Sequence, residues 1–112
     1  MTLSEEKNGN VFVLGMSGRI DMEGTNMLVE RITKILDAGE RYILLDFTHV
    51  AYLNSSGIRA LILLAKRLAN SDGKLILAAV SDPIQQVLKI SGLGSIFSVL
   101  PTKAEALGSF PQ

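Results

Sequence analysis

At 112 residues the chain has the length of one ordinary domain; 47% hydrophobic residues suffice for one core, and 20% charged residues argue against disorder. The 11 basic and 11 acidic residues cancel to a net charge of zero, which speaks against broad nucleic-acid binding. Cysteine is absent, so disulfides, thiolate nucleophiles and zinc–thiolate sites are excluded, and the single histidine, His49, leaves no two-histidine metal motif.

The opening segment "MTLSEEKNGN" is polar and acidic, unlike the basic and then apolar start of a signal peptide. A further N-terminal strand around residues 2–7 would be the fifth of the sheet. "VFVLGMS", residues 11–17, is apolar on both faces of a two-residue period and predicts a strand covered on both sides. "GRIDMEGTN" breaks that pattern with two glycines. From Thr25 a helix is expected, with Met27, Leu28, Ile32, Ile35 and Leu36 at three- and four-residue spacing and Gly39 as its stop. "RYILLDF", residues 41–47, predicts a second buried strand with Asp46 at its carboxyl end and His49 in a short loop beyond it.

A helix follows at "NSSGIRALILLAKRL". Ile58, Leu61, Ile62, Ala65 and Leu68 form one apolar face; Leu63 and Leu64 widen it, and Arg59, Lys66 and Arg67 are the only charges. That composition fits an unusually buried helix, or one on which Leu63 and Arg59 touch a partner protein. The longest helical apolar run, near residues 60–65, falls far short of the ~20 residues of a membrane span, so a cytoplasmic protein without direct membrane insertion is expected. "KLILAAV", residues 74–80, predicts a third two-sided strand. Asp82 and Pro83 suit the cap and first turn of "DPIQQVLKIS", which "SGLG" closes. "IFSVL", residues 96–100, and "TKAEALGSF" predict a last short strand and a last short helix, with frayed residues after Phe110. The alternation implies an α/β fold: one domain over residues 1–112, a mainly parallel mixed sheet of four to five strands, and about four helices.

In open α/β sheets, binding positions gather at the carboxyl ends of strands. Asp21, Asp46 and the serine pair Ser55–Ser56 are expected there together. A helix N-terminus carries free amides and roughly half a positive charge, so an anion sits well on it. Phosphate on a serine there would add a charge of about −2 and favour the helix by only ~0.3–1 kcal/mol, too little to alter the fold. Pressed unpaired against a partner, the same phosphate would cost several kcal/mol. About 2.7 kcal/mol already changes affinity a hundredfold. Plain helix capping by Asn54, Ser55 and Ser56 remains the simpler reading of the pattern by itself. Enzyme motifs are missing: "NSSGI" is no hydrolase elbow, and neither a phosphate-binding loop nor a dinucleotide fingerprint occurs. Asp21 and Asp46 read as turn and strand-end caps rather than as paired carboxylates.

"LLDFTHVAYLNSSGIRALI" resembles the signature of STAS domains, in particular of the bacterial anti-sigma factor antagonists. An apolar strand ends in Asp46, Val50 lies in an apolar spacer, and Asn54, Ser55, Ser56, Gly57 and Ile58 open a helix. "MSGRIDMEGTNML" is similar to an earlier family segment through Gly18 and Asp21, and "LKISGLGSIFSVLPTKAEAL" to its closing one. The resemblance implies that Ser55 is phosphorylated by a serine kinase that is also the anti-sigma factor. The unphosphorylated antagonist would sequester that kinase and so regulate transcription, and a PP2C-type phosphatase would restore it. Asp21, Asp46, Asn54, Ser56, Gly57, Ile58 and Arg59 would surround the phosphosite. It implies no catalysis and no cofactor for the chain itself, since ATP and metal belong to the partners. Asn54 stands where the family usually has Asp, which removes a negative charge beside the hydroxyl. Two alternatives are a constitutive adaptor subunit of an ABC-type lipid transport complex, and a small enzyme or nucleotide-binding protein using Asp21, Asp46 and Ser55.

Overall fold

The computed structural model describes residues 1–90 and 98–111. Its strands are β1 (Thr2–Asn8), β2 (Val11–Ile20), β3 (Tyr42–Leu53), β4 (Lys74–Ala78) and β5 (Ser98–Leu100). Its helices are α1 (Met22–Asp37), α2 (Ser55–Ala69), α3 (Asp82–Ile90) and α4 (Lys103–Leu107). The strands form one sheet in the order β1-β2-β3-β4-β5. Only β1 runs antiparallel, which gives the expected mixed, mainly parallel sheet.

Alternation along the central strands sorts the core into two layers. Leu14, Ile43, Leu45 and Phe47 pack with Leu28 and Ile32 of α1, Leu61 and Leu64 of α2, and Ile84 and Leu88 of α3. Val11, Val13, Leu44 and Ile76 point the other way, onto Ala106 of α4 and onto Phe110. Burial of β2, β3 and β4 on both faces explains their near-continuous apolar runs. The edge strand β1 is nearly all exposed and carries charge, which blunts an open edge. Glu5 pairs with Arg31, Lys7 with Glu40, and Glu6 with Lys103 at 2.8 Å.

Several boundaries depart from the sequence-based expectation. β3 runs on to Leu53, and His49 lies within it, exposed, not in a loop. The reason is visible in the register: Gly15 pairs with Asp46 but Ser17 with His49, and Gly18 pairs with Val50 but Arg19 with Tyr52. At each step β3 carries one residue more than β2. These two bulges replace the two-residue period by a three-residue one, so that Phe47, Val50 and Leu53 are the buried positions. Similarly β2 continues to Ile20, and α1 begins at Met22 rather than Thr25 because Asp21 caps it. Asp82 is the first residue of α3 rather than its cap, and the Gln85 amide donates to the Ser81 carbonyl at 2.9 Å. Gly39 does end α1, with φ at 98°. The expected closure of α3 by "SGLG" and the first two residues of the last strand fall outside the described residues. Pro111, expected to fray, accepts a hydrogen bond on its carbonyl from Asn10 at 3.3 Å.

Candidate functional site

The parallel register sets Ile20 beside Leu53, the last residues of β2 and β3. Asp21 and Asn54 follow directly, each in extended backbone and each the N-cap of the next helix. Asp21 Oδ1 accepts from the Gly24 amide at 2.9 Å; Asn54 Oδ1 accepts from the Gly57 amide at 3.0 Å. The Asn54 amide donates back to the Ile20 carbonyl at 3.2 Å, which ties the start of α2 to the end of β2. One residue therefore links β3 to α2, and the two helix starts lie side by side at the carboxyl edge of the sheet.

Each start needs its glycine. A Cβ on Gly24 would come within 2.5 Å of the Arg19 carbonyl oxygen. A Cβ on Gly57 would meet Leu53 Cδ1 at 2.5 Å and Ile20 Cγ2 at 2.9 Å. Gly57 is thus a contact point, where the first turn of α2 presses onto the ends of both strands. Thr25 Oγ1 lies just beyond, 3.4 Å from that Cβ position, buried and without a hydrogen-bond partner among the described residues.

With Gly57 turned inward, the neighbouring residues face outward. Ser55, the first residue of α2, is exposed, Ser56 and Ile58 are half-buried, and Arg59 is exposed. The first turn of α2 holds no acidic residue, whereas α1 has Glu23 there in addition to its Asp21 cap. The positive end of the α1 dipole thereby has carboxylates in its own cap and first turn, whereas the cap and first turn of α2 supply only neutral groups. Next to this edge the Arg19 guanidinium lies over the Tyr52 ring, 4.1 Å from its centroid.

Of the expected cluster, the structure brings Asp21, Asn54, Ser55, Ser56 and Gly57 to one edge and leaves Asp46 out. Asp46 is seven residues short of Leu53 along β3, roughly 20 Å of strand. It shares the face of Leu44, opposite α1 and α2, and accepts from the Thr48 amide at 3.0 Å and from the Thr48 hydroxyl. Asp46 is therefore neither a strand-end residue nor part of a carboxylate pair with Asp21; it pins the first bulge of β3. Among the described residues no three acidic or imidazole groups converge to hold a metal ion, and no helix is long and apolar enough to cross a membrane.

One feature extends further than the sequence motif. A groove of about 410 Å³ opens between α1 and α2, starting at Ser56 and running past Arg59 and Leu63 to Arg67, with Val29 and Thr33 of α1 opposite. Leu63 is 66% exposed while Leu64 is buried, so of the two leucines expected to widen the apolar face only Leu63 is on the surface. The α1 wall was not anticipated; the signal for it is the four-residue spacing of Val29 and Thr33. The Arg19–Tyr52 stack, between residues far apart in sequence, had no signal at all.

Comparison with known proteins agrees with this geometry. The model of the STAS domain matches residues 2–106. BtrV of Bordetella bronchiseptica, assigned as an anti-sigma factor antagonist, is 29% identical over 110 residues, covering 98% of this chain and 95% of that protein. A Thermotoga maritima protein with the same assignment superposes with a TM-score of 0.90 at 19% identity, over 95% of this chain and 92% of that one. SpoIIAA, a Bacillus cell fate determinant and anti-sigma factor antagonist, aligns at 22% identity in both forms. The unphosphorylated form gives a TM-score of 0.81 over 95% of this chain and 93% of that one, and the phosphorylated form 0.76 over 96% and 97%. The structural likenesses establish the fold, and the family match spans nearly all of the chain: it belongs to the STAS domain family.

Proposed function

We propose that the chain is an anti-sigma factor antagonist, a binding module switched by phosphorylation of Ser55. Unmodified, it sequesters an anti-sigma factor that is also a serine kinase, and so regulates transcription from the cytoplasm. Phosphorylation by that kinase releases it, and a PP2C-type phosphatase returns it to the binding form. The chain contributes a surface and a hydroxyl; ATP and metal belong to its partners.

One observation carries this reading. Ser55 is an exposed hydroxyl on the first turn of a helix whose cap and first turn hold no carboxylate. A phosphate is stabilised there by the helix dipole, worth about 0.3–1 kcal/mol, and the rigid cap of Asn54 keeps the fold as it was. The relatives' assignments and the existence of a phosphorylated SpoIIAA point the same way.

The test is incubation with the cognate kinase and ATP, followed by intact-mass measurement. One phosphate is expected on the native chain and on Ser56→Ala, none on Ser55→Ala, and the phosphorylated chain should bind the kinase about a hundredfold more weakly. An unchanged mass, with the kinase active on another substrate, rejects the reading. A stable complex with an ATPase and a permease that tolerates Ser55→Asp would instead support a lipid-transport adaptor.

A further inference from the structure

On α2 the exposed residues Ser55, Arg59, Leu63 and Arg67 follow one another at four-residue spacing. Such positions form one slanting ridge along a helix. Arg59, Leu63 and Arg67 of this ridge line one wall of the groove described above, which begins beside Ser55 at Ser56, and Val29 and Thr33 form the other wall. No carboxylate lines the groove. Arg67 is held from the rim by Asp37 at 2.9 Å, whereas Arg59 takes part in no ion pair among the described residues. Between the two cations stands Leu63, two-thirds exposed.

The surface is thus apolar in the middle, with an arginine at each end, Arg59 outside any ion pair among the described residues and Arg67 shared with Asp37, and it belongs to a chain with no net charge. Its complement is an amphipathic helix with an apolar residue on Leu63 and a carboxylate toward each arginine. Eight residues of helix separate Arg59 from Arg67, roughly 12 Å along the axis, so the partner's carboxylates would stand seven or eight residues apart.

Building on the switch proposed above, we infer that the α1–α2 groove docks an acidic amphipathic helix of a partner protein, and that phosphate on Ser55 withdraws Arg59 from it. Ser55 and Arg59 are an i,i+4 pair with the anion on the N-terminal side, the favourable orientation on a helix. A phosphoserine adds about two negative charges within reach of that guanidinium. It therefore removes a cation that the partner uses and leaves a negative group at the groove mouth in its place. Release needs no change in the backbone.

The probe is a stapled peptide of about 15 residues, long enough to span the groove, with two Glu seven residues apart and Leu midway; the control carries Lys for both Glu. Nitrogen-15 spectra of the full, unmodified chain should show shifts along Val29, Thr33, Arg59, Leu63 and Arg67 with the Glu peptide only. Binding should weaken about fivefold in Arg59→Ala and vanish in Leu63→Glu. Equal binding of the two peptides, shifts on another face, or no shift at all overturns the docking surface. With phosphoserine installed at position 55, the phosphate should titrate at lower pH in the native chain than in Arg59→Ala, as read by its phosphorus-31 shift. Identical titrations overturn the capture of Arg59. Neither measurement uses the kinase, so failure here is distinct from failure of Ser55 phosphorylation.

Discussion

The first turns of α1 and α2 are built on one plan, Asp-Met-Glu-Gly-Thr against Asn-Ser-Ser-Gly-Ile. Each has a cap whose side chain accepts the amide of a glycine three residues on, and each glycine lies against atoms that leave no room for a Cβ. They differ in charge. In α1 the cap and Glu23 are acidic; in α2 neither the cap nor the first turn is, and two hydroxyls take their place. The comparison separates what a helix start needs in order to fold from what it needs in order to be a site. Capping and close packing are shared by both. An exposed hydroxyl on a first turn without carboxylates, one turn before an arginine that forms no ion pair among the described residues, belongs to α2 and not to α1.

Substituting the glycines tests the shared plan and should give the largest effects. Gly24→Ala and Gly57→Ala should each lose about 1–3 kcal/mol in chemical denaturation, the usual cost of forced overpacking. Gly24→Ala should lose more, because the obstructing atom is a main-chain carbonyl oxygen, whereas Leu53 and Ile20 can shift side-chain atoms. The reverse order would mean that the sheet edge yields more easily than the α2 contact.

The caps come next. Asp21→Ala and Asn54→Ala should each cost about 1 kcal/mol. Asp21→Ala should cost a further ~0.3–1 kcal/mol for its charge at the dipole, and that excess should shrink in high salt. Equal, salt-independent losses would refute the charge difference drawn between the two starts.

Asn54→Asp makes α2 resemble α1. The unphosphorylated variant should gain about 0.3–1 kcal/mol, while the chain phosphorylated at Ser55 should lose stability relative to its native counterpart through like-charge repulsion. Denaturation of all four forms measures both signs. A similarly small effect is expected at Tyr52→Leu, about 0.5–1 kcal/mol for loss of the Arg19 stack, with Ser55 phosphorylation unchanged.

Much of this architecture was legible in the residues. The continuous apolar runs of β2, β3 and β4 and the helical periodicity of α1 and α2 announced a covered, mainly parallel sheet, and Asn54–Gly57 announced a capped helix. Asp46 was misplaced because the residues after it, Thr48 and His49, break two-residue alternation and read as loop. The bulges that cause this are a property of pairing with β2, visible only when Ser17 and His49 are seen side by side. The groove was half legible for a related reason. Leu63 and Arg59 stood out on their own helix, but that Val29 and Thr33 lie opposite depends on how α1 and α2 pack.

Because Asn54 alone joins β3 to α2, and its amide is fastened to Ile20, this junction has no slack. A covalent mark placed there sits on a short, tied connection and is presented at the surface to whatever touches it. A descendant of this chain could therefore acquire a new listener by recolouring one ridge of α2, keeping its sheet, its caps and its folding untouched.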